Sequence, residues 1–187
     1  MNLSNNKTLL QATKAFASLA NSEEMLQFGN RLQQNGERFL KFSLSTEINA
    51  LVSLSDLRGV VDVTLKEILP VPQIAEFLLG IMNWQGEAIW IVDLANLLGA
   101  VHWIRRSPMP QSGMVLLVEL ENHNHKIGLL VEQIRGIETY ERKFCCAVSQ
   151  LSALEPLHGF LQGYFLDADG NSLMLLDVRA ITTVLQT

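Results

Sequence analysis

The chain has 187 residues, 48% of them hydrophobic and 18% charged, with a formal net charge of −5. That balance describes a folded protein with room for one medium domain or two small ones, and it excludes a disordered chain. The basic residues are scattered, which argues against the clustered positive footprint needed for nucleic acid or for a polybasic membrane surface.

Residues 1–36 read as a moderately amphipathic helical extension. Leu9, Leu10, Ala12, Phe16, Leu19 and Ala20 recur at helical spacing, and a second segment opens at Ser22-Glu23-Glu24, runs through Leu32 and stops at Asn35-Gly36. Such a stripe either packs on the main body or docks a partner. Lys7 and Lys14 without a long apolar run do not make a signal peptide, and no apolar stretch reaches the ~18 residues of a membrane span. The expectation is a soluble cytoplasmic protein with no direct membrane insertion.

From Phe39 the period changes to two. Leu40, Phe42 and Leu44 alternate with Lys41 and Ser43, a polar turn follows at Ser45-Thr46-Glu47, and Ala50, Val52 and Leu54 alternate again. This predicts an antiparallel pair. Asp56-Leu57-Arg58-Gly59 interrupts the pattern, Val60–Val63 resumes it, and Pro70 and Pro72 force an extended connection.

Phe77–Gly99 is the richest stretch. Apolar runs Leu78–Met82 and Ala88–Val92 flank Asn83-Trp84-Gln85-Gly86-Glu87, where Gly86 supplies the positive φ of a tight turn. Asp93 stands as an N-cap before a short helix that Gly99 ends. The near-continuous apolar character of both strands predicts burial on two faces. On that reading Trp90 is core, whereas Trp84, at the turn, is placed to anchor a partner.

A linker with Pro108 and Pro110 leads to strands at Met114–Leu120 and Ile127–Val131, separated by a polar tip holding His123 and His125. Gln133–Ile137 continues the β pattern, a short helix is expected near Ser149–Leu154, and Gly159–Leu166 and Leu173–Leu176 flank an Asp169-Gly170 turn before a helical end from Asp177. The second half echoes the first. Phe77-Leu78-Leu79-Gly80 matches Phe160-Leu161-Gln162-Gly163, Asp93-Leu94 matches Asp177-Val178, and Leu57-Arg58-Gly59-Val60 matches Ile134-Arg135-Gly136-Ile137. Two similar units of about five short strands follow, a length that suits small barrels. The expected division is a 1–36 extension and a 37–187 body with halves at about 37–99 and 100–187.

Catalytic signals are thin. No nucleophile elbow, phosphate loop or dinucleotide fingerprint is present. His123 and His125 share a face at a predicted tip, so a small metal- or ligand-binding barrel, or an enzyme using them, is the alternative reading; no third ligand lies nearby in sequence. Cys145 and Cys146 are adjacent, and a bridge between strand neighbours would be strained, so two reduced thiols are expected. Arg58 and Arg135, each before a glycine, read either as bulge positions with the arginine bridging to a carboxylate, or as charged interface anchors.

From about Glu37 to Leu185 the chain resembles the CheW family of chemotaxis adaptors. The resemblance rests on Leu78-Leu79-Gly80-Ile81-Met82-Asn83-Trp84-Gln85-Gly86, Ile91-Val92-Asp93-Leu94 and Leu98-Gly99, with Pro70-Val71-Pro72, Lys126–Val131, Phe160–Gly163 and Leu175–Val178 in support. It implies a mainly β fold of two five-stranded SH3-like barrels, no cofactor and no enzymatic activity. It also implies partners: the regulatory domain of a CheA-type histidine kinase and the cytoplasmic tip of a chemoreceptor, in a membrane-recruited array. The partner-binding residues expected on that basis are Leu57, Arg58, Val60, Asp62, Asn83, Trp84, Gln85, Gly86 and Arg135. Gln85 replaces the family's usual arginine and loses its charge. The family's Val-Arg-Glu-Val/Ile segment aligns either with Leu57–Val60, losing the acid, or with Val60–Val63, losing the arginine. Both departures fit a divergent adaptor in a motility or phototaxis system.

Overall fold

A computed structural model describes residues 36–45, 48–120, 125–148 and 157–185. The helical reading of 1–35, the helix near Ser149–Leu154 and the tip at 121–124 lie outside them.

Among the described residues ten strands form two five-stranded sheets. In chain order they are β1 (Glu37–Ser45), β2 (Ile48–Ser53), β3 (Leu57–Thr64), β4 (Leu78–Trp84), β5 (Glu87–Asp93), β6 (Ser112–Glu119), β7 (Lys126–Val131), β8 (Gln133–Tyr140), β9 (Leu161–Leu166) and β10 (Ser172–Leu176). Two short helices, α1 (Leu94–Leu97) and α2 (Val178–Val184), follow β5 and β10. The strand orders are β8-β1-β2-β10-β9 and β3-β6-β7-β5-β4. The mainly β, SH3-like class expected from the sequence is what the chain adopts.

The repeat is visible strand by strand. In each sheet one antiparallel hairpin, β1–β2 or β6–β7, is flanked by a parallel strand, β10 or β5, and an antiparallel one, β8 or β3. Equivalent bulges fall at Arg58 and Arg135, and at Leu79 and Gln162. Equivalent carboxylates cap the helices: Asp93 Oδ1 accepts from the Asn96 amide and Asp177 Oδ1 from the Ala180 amide, each at 3.1 Å.

The division into sheets does not follow the division at 99/100, however. The sheet built on β3–β5 takes its hairpin β6–β7 from the second repeat, and the sheet built on β8–β10 takes β1–β2 from the first. The two repeats have exchanged their leading hairpins. Local similarity along a chain reports which elements are alike; which copy each element pairs with is a tertiary choice.

Three apolar clusters result. Phe39, Leu51, Phe165, Leu173 and Leu175 fill the inside of one sheet, and Ile89, Ile91, Trp103, Val115, Leu117 and Leu130 the inside of the other. The largest lies between them, where Leu40, Phe42, Ala50 and Val52 meet Val92, Leu116, Val118 and Leu129. Strands apolar on both faces, such as β6 and β7, serve an inner and a shared core at once.

Two expectations are corrected. Trp90 is 39% exposed, because β5 alternates from Ala88 to Ile91 and buries Ile89 and Ile91 instead. Asp56–Gly59 is no break for most of its length: β3 begins at Leu57 and absorbs the irregularity as a bulge at Arg58.

Candidate functional site: exposed edges, a hairpin tip and an apolar cleft

The turn between β4 and β5 is tighter than the sequence suggests. Trp84 pairs with Glu87, leaving Gln85 and Gly86 alone in the loop with φ of 52° and 87°. Two positive φ angles define a type I′ turn, which suits the strand twist but strains residues other than glycine, asparagine and aspartate. The Asn83 side chain accepts from the Gly86 amide at 3.1 Å and braces the tip. Trp84 is half-buried and packs on the inner core, with Lys126 Nζ 5.3 Å above its ring and bonded to Glu87 at 2.9 Å. The free indole is that of Trp90, on the outer face beside Ile81.

Leu57 leans on the shared core, while Val60, 39% exposed, and Asp62 stand on the outer face of β3. Arg58 donates from Nε to Glu119 at 2.7 Å and from Nη1 to the Ser55 carbonyl at 3.3 Å. Arg135 occupies the equivalent bulge on β8, yet it has no hydrogen-bond or ion-pair partner among the described residues. Register explains the difference: the position of Glu119 is filled in the other sheet by buried Ser43, which offers no carboxylate. Of the two readings of these arginines, the bridge therefore describes Arg58 and not Arg135.

The nine expected partner-binding residues thus lie on three separate elements. β3 and the β4–β5 tip are at opposite edges of one sheet, and Arg135 is on the edge of the other.

An open apolar cleft of about 440 Å³ was not legible in the sequence. Its walls are the β3–β4 connection and the linker after α1, and include Leu65, Ile68, Leu79, Ile104 and Met109. Loops carry no periodicity, so nothing marks in advance that they face each other. The only local signal is Asp93. Its fully buried carboxylate caps α1 and also accepts from the Trp103 amide at 2.5 Å, pinning the linker against β5. His102 sits 3.8 Å from the same carboxylate, and its Nδ1 accepts from the Ile104 amide.

Cys145 and Cys146 are free thiols. Burial raises the Cys145 pKa, and burial with the neighbouring Cys146 pushes Tyr164 up to about 12, so both stay protonated at neutral pH. His125 is exposed, His123 is outside the described residues, and no group of three or more His, Cys, Asp or Glu suited to a metal occurs among the described ones. Nor does any described helix have the length and apolarity to cross a membrane. Exposed apolar side chains such as Val60, Trp90 and Ile137 stand among surface ion pairs such as Arg58–Glu119 and Lys126–Glu87.

The model of the CheW-like domain family matches residues 38–186. Among solved structures the chain is similar to the scaffolding protein TtCheW from Thermoanaerobacter tengcongensis, at 20% identity with a TM-score of 0.62, covering 76% of this chain and 90% of that one. No curated protein matches.

Proposed function

We propose, on the premise that this chain belongs to the CheW-like domain family, that it is a non-enzymatic adaptor coupling a chemoreceptor to a CheA-type histidine kinase. The observation that carries the reading is the extent of the family match, which spans both sheets and the core they share. The surfaces support it. The molecule presents non-equivalent edges and an apolar cleft, which suits a scaffold that must hold two different partners at once.

In this reading Leu57, Arg58, Val60 and Asp62 on β3, the tip Asn83–Gly86 and Arg135 are the partner contacts. Gln85 is the specificity element at the tip: a neutral amide recognises a polar group on the receptor where a guanidinium would demand an acid.

The test is co-purification of the full chain with the regulatory domain of a co-encoded histidine kinase, followed by kinase activity with and without the cognate receptor. Binding, with kinase activity made receptor-dependent, is the expected result. Absence of binding to every co-encoded regulatory domain overturns it.

A further inference from the structure

The walls of the apolar cleft are tied firmly to the body. The Leu65 amide donates to the Gln111 carbonyl at 3.0 Å, and the Trp103 indole donates to the Pro110 carbonyl at 3.0 Å. Leu69 and Ile81 exchange backbone hydrogen bonds at 2.8 and 3.0 Å. A groove formed in advance costs little ordering when it is filled. Its mouth is apolar: Ile104 is 55% exposed, Met109 41%, and Leu69, between the lining residues Ile68 and Pro70, 62%. An apolar cluster of this kind marks an interaction surface.

The chain itself carries a segment of matching chemistry. Over residues 9–20 a helical period places Leu9, Ala12, Phe16, Leu19 and Ala20 on one face and Gln11, Lys14 and Ser18 on the opposite one, with Leu10 outside the stripe. That is the anchor pattern of a helix laid in a groove, and about 440 Å³ takes a few such side chains. Residues 1–20 contain Lys7 and Lys14 and no acid. Glu76, the one carboxylate among the described lining residues, is 73% exposed at the rim beside Arg105, so charge does not oppose the seating. Reach is sufficient too. The Glu37 carboxylate at the start of β1 accepts from Ser53 at 2.6 Å, and Ser53 stands twelve residues before Leu65 on the cleft wall. Twelve residues span at most about 43 Å, whereas residues 21–36 span about 53 Å when extended.

We infer that residues 9–20 dock in this cleft of their own molecule as an amphipathic helix, with Phe16 and Leu19 set against Ile104 and Met109. A tether of this length gives an effective concentration on the order of millimolar, so the molecule's own segment outcompetes that of a neighbour. While the segment is seated the cleft is closed to other chains, and the outer strands and the β4–β5 tip stay open. The contact needs neither kinase nor receptor and is decided apart from the adaptor role.

Photo-cross-linking of the full chain, with a benzophenone amino acid in place of Phe16, tests it. The products are separated by size and the cross-linked peptides mapped by mass spectrometry. The expected result is a monomer-sized product joined to residues 65–79 or 102–109. Ile104→Asp should cut that yield at least about fivefold, because a carboxylate then faces the apolar stripe, and Met109→Asp repeats the test at a second position. Both positions are exposed, and a cooperative thermal transition will show that the variants fold. Cross-links elsewhere on the body, or cross-links that survive both substitutions, overturn the proposal. So does a dimer-sized product, the outcome expected of docking into a second copy, and so does the absence of any cross-link, the outcome expected of a cleft kept for another protein.

Discussion

At the scale of single residues, the two tryptophans differ in burial from what the sequence suggests: Trp90, expected in the core, is exposed, and Trp84 at the turn is half-buried. Trp84 packs on the inner core under Lys126, and Trp90 stands in solvent. Trp84→Ala is expected to cost about 2–3 kcal/mol, below the range for a fully buried aromatic, and Trp90→Ala less than about 1 kcal/mol. Urea unfolding of both variants measures the difference, and equal losses would show the packing account to be wrong. Gln85 holds φ of 52° in a turn where asparagine or glycine would be at ease. Gln85→Asn should therefore raise stability by about 0.5–1 kcal/mol. If it also weakens receptor binding, the strain at this tip is kept for recognition.

At the scale of elements, the connections matter more than the strands. Gly80 has φ of 142°, and a Cβ there would sit 2.1 Å from the Leu69 carbonyl oxygen, where the β3–β4 connection pairs with β4. A Cβ at its repeat partner Gly163 would sit 2.4 Å from Cys145 Sγ and 2.6 Å from the Cys146 carbonyl oxygen. Backbone cannot give way as a side-chain end can, so Gly80→Ala should cost more than about 3 kcal/mol and lower the yield of folded protein. The start of β1 is clamped differently. Arg142 donates to both oxygens of Glu37, at 2.7 and 3.3 Å, and Ser53 donates at 2.6 Å. The bonds from Arg142 hold the Glu37 carboxyl below its ordinary pKa of 4.5. A depressed folded-state pKa means that the unfolded chain binds the proton first. The clamp's contribution is complete above the ordinary value and is lost as pH falls through the folded one. Glu37→Gln should accordingly flatten the acid limb of stability, in melts between neutral pH and about pH 3. Asp56 works the other way: burial raises its pKa, so its ionised form in the folded state opposes folding as pH rises, and the clamp must be read from the variant and not from the wild-type curve alone.

For the whole molecule, the exchanged hairpins decide how it comes apart. Each sheet needs strands from both repeats, and the largest cluster lies between the sheets. Residues 37–99 expressed alone would hold β3–β5 without the hairpin that completes their sheet, and should stay unfolded by circular dichroism. The intact chain should unfold in a single transition, with calorimetric and van't Hoff enthalpies agreeing. A stable first half, or two separated transitions, would count against an interdependent fold.

The residues themselves determined a great deal: strand positions from alternation, helix starts from Asp93 and Asp177, the bulge glycines, and the existence of two like units. These are local signals, set by side-chain period and backbone freedom within a few residues. Tertiary structure alone decided which hairpin joins which sheet, because similar repeats offer similar partners and only the shared core distinguishes them. It also decided that Arg58 finds Glu119 while Arg135 finds no partner among the described residues, since a cross-strand neighbour in another repeat is invisible along the chain. The apolar cleft belongs to the same class: two loops become one surface only through the fold, where the Asp93 carboxylate accepts from the Trp103 amide of one and the Asp93 amide donates to the Phe77 carbonyl at the end of the other.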